Sequence, residues 1–407
     1  MTGPREAPEA DELVLFDEQV PVSSAGGESE EDVVSRLGAA RANVSATDWT
    51  VETLLSQLRK GRIDLSPRFQ RRAAWVNPTK SRFIESVILN YPIPQIVLAE
   101  KQGQPGHFFV IDGKQRLLAL RQFFATAADD PDFSSYRLSG LTILTDLKGM
   151  GLARLQTDRP DLVAQLENHT IRTVAIRNWG SEEFLYTLFL RLNTGSVPLS
   201  PQELRQALVP GPFVDWADEA SGASPGLRLL LGNDGPDRRM VDAELLVRHI
   251  GLATARIPYG GNLKDFLDKT CGAFNADWQT EAAGLAGRLV DLEGAIGTAL
   301  AIFGDDGVCR KWNGKRYERA LNRAVFDVQM HFFAYPDVRD RAVEAGPAVA
   351  AAFRSLCQDD PGFLRAITTT TKSSAAFRDR FDGWRTALAA VIGELPPLPP
   401  SLTAAPA

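Results

Sequence analysis

The chain has 407 residues, of which 44% are hydrophobic and 24% are charged, a balance typical of a globular protein with two or three domains. No apolar run approaches the roughly 20 residues needed to cross a bilayer, and the acidic N-terminus lacks a signal-peptide pattern, so we expect a cytoplasmic protein without a membrane partner. Its three cysteines are widely spaced and odd in number, which supports neither a disulfide framework nor a zinc site.

The net charge of −6 is unevenly distributed along the chain. Residues 1–45 contain ten acidic residues, three arginines and few large apolar groups, so we expect a mostly disordered acidic tail. The proline-rich residues 396–407 predict a second tail. Residues 59–72 carry six basic residues against Asp64 alone, which is typical either of a solvated basic face or of a surface that meets nucleic acid.

Strand and helix patterns are mixed in residues 46–210, where order is expected to begin near Thr47. Asn77-Pro78 is a strong helix start, and Ser200 and Glu203 have the spacing of a capping box. Extended or strand segments are predicted at 63–65, 93–98, 107–111, 136–144 and 170–176. Helices are predicted at 51–60, from 77 to 90, after Gly113 through Phe124, from 181 to 192, and after Ser200.

After about residue 210 the strand patterns fade and helical spacing dominates. Helices are predicted at 243–253, 263–270, 280–302, 317–333, 341–355 and 374–392. Strands confined to the first part and helices beyond it predict an α+β domain at 46–210 followed by an all-α domain at 211–395.

The segment Asp112-Gly113-Lys114-Gln115-Arg116 links a predicted strand to a predicted helix through a tight turn. The first turn of a helix offers unpaired N–H groups and a positive dipole end, which attract phosphate. Gly113 would let a ligand approach the backbone, while Lys114 and Arg116 would add charge-assisted hydrogen bonds. Asp112 would cap the helix or help to hold a metal or a ribose hydroxyl. Taken alone, the pentapeptide is more often a capped helix start with solvated basic side chains.

Two other segments have residue types that suit an anion. Arg68, Gln70 and Arg71 lie in a basic stretch anchored by two aromatics, although the same stretch is typical of an exposed basic loop. Asn193-Thr194-Gly195 precedes a helix cap and forms a second polar turn, and its simpler interpretation is a link between two helices.

Together these segments resemble the N-terminal domain of GmrSD-type restriction enzymes, within the ParB/sulfiredoxin-like superfamily. The resemblance covers about residues 50–210, and the order of its four pieces is more specific than any single piece. The usual turn of this family reads Asp-Gly-Gln-Gln-Arg, so Lys114 adds a charge where a neutral amide is typical. The four pieces are Arg68-x-Gln70-Arg71 with Trp75, Ile84-Glu85-Ser86 with Pro92-Ile93-Pro94, Ile111 to Leu117, and Leu192-Asn193-Thr194-Gly195 with Leu199-Ser200 and Glu203-Leu204.

The resemblance implies a ParB/sulfiredoxin-like fold with a small mixed sheet and a site for a nucleoside triphosphate with a divalent metal, Mg²⁺. ParB-type relatives hold the triphosphate on a Gly-x-x-Arg turn, as at Gly113 and Arg116. Sulfiredoxin chemistry is not supported, because Lys114 stands where those enzymes carry a reactive cysteine. The implied catalytic residues are Asp112 and Arg116, and the implied phosphate-binding residues are Arg68, Gln70, Arg71, Gly113, Lys114, Gln115, Arg116, Asn193 and Thr194.

The family also implies action on foreign or modified DNA, often with nucleotide hydrolysis. Its DNA-cutting members commonly carry a second, His-Asn-His-type nuclease domain, but His107, His169, His249 and His331 are isolated in this sequence. Three hypotheses remain open: a nucleotide triphosphatase or nicking enzyme, a non-catalytic nucleotide or DNA sensor that regulates a separately encoded nuclease or methylase, and a protein in which the turn is only a helix cap. The oligomeric state is also open.

Overall fold

The structure is a computed structural model of the chain. It describes residues 21–23, 27–28, 42–65, 75–126, 135–181, 184–185, 188, 200–369 and 373–403.

Five strands form one mixed sheet in the order β1-β5-β3-β4-β2. Strand β5 runs antiparallel to β1 and parallel to β3, while β4 runs antiparallel to β3 and parallel to β2. The strands are β1 Asn43–Thr50, β2 Ile63–Asp64, β3 Ile96–Glu100, β4 Phe108–Asp112 and β5 Thr170–Arg177. The prediction of a small mixed sheet is confirmed.

Within the described residues, six helices accompany this sheet: α1 Val51–Arg59, α2 Asn77–Ile88, α3 Lys114–Phe123, α4 Leu152–Asp158, α5 Pro160–Asn168 and α6 Pro201–Leu208. Helices α1 to α5 contribute to a core on one face of the sheet, where Leu54, Ile84 and Leu117 are fully buried. Leu204 of α6 packs in a smaller core with Phe109 and Ile111. The β4–α3 turn therefore lies where a strand from the middle of the sheet passes into a buried helix.

The rest of the described chain is helical, which confirms the predicted fold class. Its helices surround a core rich in aromatic side chains, in which Phe326, Phe353 and Trp384 are fully buried. The helices are α7 Pro212–Ala223, α8 Pro225–Leu231, α9 Val241–Ala253, α10 Leu263–Ala276, α11 Trp278–Phe303, α12 Arg323–Phe333, α13 Pro336–Glu344, α14 Gly346–Asp359, α15 Pro361–Thr368, α16 Ser374–Ile392 and α17 Pro400–Thr403.

The strand predicted at 136–144 does not form. Glu85, a buried residue of α2, accepts hydrogen bonds from the backbone N–H groups of Thr142, Ile143 and Leu144 at 3.2, 2.8 and 2.7 Å. Those donors are therefore unavailable to a neighbouring strand, and the chain continues into a 3₁₀ turn at Thr145–Leu147. The hydrogen bonds lower the pKa of the Glu85 carboxyl against the opposing effect of burial.

Parts of both predicted tails pack on the helical region. Val22 and Leu321 form an isolated parallel bridge, in which the Ser23 N–H donates to Leu321 O at 2.8 Å. Glu28 forms an ion pair with Arg205 of α6 at 2.7 Å. At the other end, Leu402 of α17 is buried in the helical core. Local composition does not reveal these contacts, because their partners are distant in sequence.

Candidate functional site

The β4–α3 turn is built around Gly113. Its φ of +95° lies in the left-handed region that favours glycine, and a Cβ at this position would make a tight contact of 3.0 Å with Ile96 Cγ1. The backbone N–H of Gly113 donates to Asp112 Oδ1 at 2.7 Å. Among the described residues, no side-chain hydrogen bond caps the first turn of α3, and that turn contains no acidic residue.

Arg116 lies directly against this turn. Its Nη2 donates to Asp112 Oδ2 and to the backbone oxygen of Gln95, each at 3.0 Å. The residue is only 7% exposed, and within the described part of the chain its buried Nε has no hydrogen-bond partner. The guanidinium is thus fixed beside Gly113 with its donors incompletely used, which is an arrangement that suits an added acceptor.

Lys114 forms a buried ion pair that reaches α6. Its Nζ lies 2.6 Å from Glu203 Oε1, and the two side chains are 6% and 5% exposed. Glu203 also accepts from the backbone N–H of Ser200 at 2.7 Å while Ser200 Oγ accepts from Glu203 N–H, so the predicted capping box is present. The charge that distinguishes Lys114 from the family's amide is therefore matched by a carboxylate within the protein.

Gln115 connects the turn to Trp75. Its Oε1 accepts from the backbone N–H of Trp75 at 3.3 Å, and the indole of Trp75 packs edge-on against Phe83 of α2 at 5.7 Å between ring centroids. Trp75 is therefore anchored on two helices, α2 and α3.

The remaining predicted site residues lie outside the described residues. These are Arg68, Gln70 and Arg71 in 66–74, and Asn193 and Thr194 in 189–199. The described residues that follow each of these stretches are nevertheless bonded to the turn. Trp75 reaches it through Gln115, and Ser200 reaches it through Glu203 and Lys114.

Two residues near the turn were not singled out from the sequence. Glu203 was recognised as part of a helix cap but not as the partner of Lys114, which depends on a contact between positions 89 residues apart. Lys80 of α2 is 7% exposed, and its ammonium lies 5.8 Å from the centre of the Tyr136 ring. Burial lowers its pKa. In the sequence, the helical spacing of Lys80 from Ile84 and Val87 indicates that this lysine lies on the apolar face of α2.

The histidines of the helical region lie in its core. Burial lowers the pKa of His249 to about 3 and that of His331 to about 4, so both are neutral near pH 7. Among the residues with a described placement, no group of three or more His, Cys, Asp or Glu side chains is arranged to hold a metal ion. The described cysteines are buried free thiols, and burial raises the pKa of Cys271 to about 12.

No helix in the described ranges is long and apolar enough to cross a membrane.

Comparison with known proteins gives one match. The family described as the GmrSD restriction endonuclease, N-terminal domain, matches residues 51–210, which run from the start of α1 to just beyond α6. Neither the curated proteins nor the solved structures provide a match. The matched segment contains the β4–α3 turn, Lys80 and the capping box of α6.

Proposed function

We propose that the chain is a restriction-like DNA-defence protein whose β4–α3 turn binds a nucleoside triphosphate. The match of residues 51–210 to the GmrSD restriction endonuclease, N-terminal domain, supports this proposal. The bound nucleotide controls an action on foreign or modified DNA. The phosphates are held by the first turn of α3, by Arg116, and by polar side chains of 66–74 and 189–199.

One observation carries this proposal: side chains of the turn hold the described ends of both other segments. Gln115 bonds to Trp75, and Lys114 bonds to the helix cap at Ser200–Glu203. Both stretches are therefore followed by described residues that contact the same five-residue turn. The first stretch contains Arg68, Gln70 and Arg71, and the second contains Asn193 and Thr194. This supports one composite site and disfavours three unrelated loops.

The chemistry of the turn fits a phosphate ligand. Gly113 lets a ligand come close to the backbone. Among the described residues, no side chain caps the start of α3, and the buried Nε–H of Arg116 has no partner. An oxygen-rich anion would complete these donors, and each charge-assisted hydrogen bond contributes about 1.5–3 kcal/mol.

Asp112 is the carboxylate at the turn, and it is the residue that would contact Mg²⁺ bound with the nucleotide. Mg²⁺ supplies neutralisation of phosphate charge when it is bound. In a hydrolytic version of the function, Arg116 stabilises charge on the phosphoryl oxygens, and Asp112 holds the guanidinium in place through the 3.0 Å ion pair.

A second candidate function is a sensor without turnover that regulates a separately encoded nuclease or methylase. The observation in its favour is the state of the histidines in the helical region, where His249 and His331 are buried, uncharged and removed from any metal-binding group in the described chain. A nuclease centre of the His-Asn-His type needs an accessible histidine beside metal ligands.

The proposal is tested by nucleotide binding and phosphate release with Mg²⁺, measured by calorimetry and by a phosphate assay for wild type and Arg116→Ala. We expect wild type to bind at least one nucleoside triphosphate and the variant to lose about tenfold or more in affinity. Arg172→Ala is the matched control, because Arg172 is an exposed arginine of β5 paired with Asp48. Phosphate release by wild type supports the enzyme, and binding without release supports the sensor. Equal binding by wild type and Arg116→Ala contradicts the proposal.

A further inference from the structure

Three lysines are buried in the described part of the chain: Lys80, Lys114 and Lys264. Lys114 pairs with Glu203 and Lys264 pairs with Asp268, each at 2.6 Å. The Lys80 ammonium differs from both, because no described carboxylate lies within ion-pair distance of it and no described acceptor hydrogen-bonds to it. The ammonium lies over the face of the Tyr136 ring, 5.8 Å from its centre.

Residues on two sides of Lys80 are hydrogen-bonded to the first two turns of α3. The Tyr136 hydroxyl donates to the backbone oxygen of Ala119 at 3.3 Å, and Ala119 follows Gln115 by one helical turn. On the other side, the Lys80 N–H donates to Val76 O, and the preceding Trp75 is bonded to Gln115. Lys80, in the first turn of α2, is therefore linked to α3 on two sides, through Tyr136 to Ala119 and through the backbone at Trp75 to Gln115.

A largely buried lysine whose ammonium has no described counter-ion is in an unfavourable position. Taking a charged amine partly out of water is costly, and a cation–π contact offsets only part of that cost. The other two buried lysines of the described chain each form an ion pair with a carboxylate, which offsets this cost. An anion that enters from solvent would do the same at Lys80, where the side chain retains 7% exposure.

We propose that Lys80 is a phosphate-contacting residue, whose ammonium binds a phosphate group of the ligand held at the Asp112–Arg116 turn. This inference rests on the proposed function and adds a cation from α2, an element outside the three motif segments. The ligand is a polyanion with at least two phosphates, one at the turn and one at Lys80. Either a nucleoside triphosphate or a DNA backbone provides that chemistry.

The competing explanation is that the aliphatic part of Lys80 only fills the space beside Tyr136 while its tip reaches water. Methionine keeps that aliphatic part and removes the charge, so Lys80→Met separates the two explanations. A packing role leaves ligand affinity unchanged in Lys80→Met. A phosphate-binding role makes affinity depend on the charge, and Lys80→Arg retains most of it.

The experiment measures the affinity of the full chain for tripolyphosphate, for ATP with Mg²⁺ and for a short duplex DNA. Wild type, Lys80→Met and Lys80→Arg are compared with Lys264→Met, a buried lysine outside the matched family segment. We expect Lys80→Met to weaken binding about tenfold or more, and Lys264→Met to change it less than about twofold. Circular dichroism verifies that each variant is folded.

The outcomes identify the ligand as well as the role. Weaker binding of tripolyphosphate and ATP by Lys80→Met assigns the residue to a nucleotide, and weaker binding of DNA alone assigns it to the DNA backbone. Wild-type affinity of folded Lys80→Met for all three ligands overturns the inference while leaving the proposed function intact. Failure of wild type to bind any of the three overturns both.

Discussion

The buried arginines of the helical region and two cations of the sheet domain, Lys80 and Arg116, differ in their described partners. In the helical region, Asp327 accepts from Arg248 at 2.6 Å and from Arg380 at 2.7 Å, and all three side chains are at most 1% exposed. Glu244 pairs bidentately with Arg323 at 2.8 Å. In the sheet domain, Lys80 has no described carboxylate partner and Arg116 has a described neighbour for only part of its guanidinium.

The difference separates a structural role from a binding role. A buried cation whose hydrogen-bond donors are all used by protein groups offers nothing for a ligand to bind. Removing that cation is destabilising, because its carboxylate partner is left buried and unpaired. A buried cation with an incomplete set has capacity for an acceptor from outside. The charged cluster around Asp327 joins helices α9, α12 and α16 through shared ion pairs, whereas the Lys80 ammonium has no described carboxylate beside it, as the proposed phosphate contact requires.

The largest effect is expected at Asp327. Replacing it with alanine leaves Arg248 and Arg380 buried without their shared carboxylate, so Asp327→Ala should lower the free energy of unfolding by about 3–5 kcal/mol. Urea unfolding followed by circular dichroism measures the loss. Asp337→Ala is the control, since the exposed pair of Asp337 with Arg341 should contribute about 0–1 kcal/mol. If the two variants lose similar amounts, the Asp327 cluster does not hold the helices together as described.

A smaller effect is expected at Lys114, the position that departs from the family's glutamine. Lys114→Gln leaves Glu203 buried without its ammonium partner and should cost about 1–3 kcal/mol, because the cap at Ser200 still satisfies part of the carboxylate. Glu203→Gln in the same chain should recover much of that cost. A double-mutant cycle by urea unfolding measures the coupling, and additive losses would show that the pair is not a coupled unit.

Several features of the fold and site follow directly from local sequence. Gly113 between an apolar strand and a helix predicts the turn, and Ser200 with Glu203 predicts the capping box, because both signals involve residues within one helical turn. Helix α16 begins and ends within the segment predicted from residue 374 to 392. These elements are determined by short-range hydrogen bonds and apolar spacing.

Other features depend on contacts that are distant in sequence. The apolar residues at 136–144 predict a strand, but the carboxylate of Glu85 captures their N–H groups from 57 to 59 residues away. The predicted helix at 341–355 is divided at Ala345, between α13 and α14. Strand β1 was missed because its polar residues lie at an exposed edge, and its pairing partner β5 is more than 120 residues away.

The site shows the same division between local and distant signals. Asp112, Gly113 and Arg116 were identified from one pentapeptide, and the structure brings the Asp112 and Arg116 side chains together beside the Gly113 backbone. Lys80 was visible only as a lysine on an apolar helix face, and its lack of a carboxylate partner is a property of the assembled domain. Arg68, Gln70, Arg71, Asn193 and Thr194 lie outside the described residues, so their contribution stays a prediction.

The most direct test of a composite phosphate site is backbone hydrogen exchange of the full chain, with and without ATP and Mg²⁺. The account predicts that ATP slows exchange together in three peptides, covering residues 66–75, 112–118 and 193–200, and that Arg116→Ala abolishes all three effects. Protection in only one of these peptides, or only in the helical region, would contradict the convergence of the three segments at the turn.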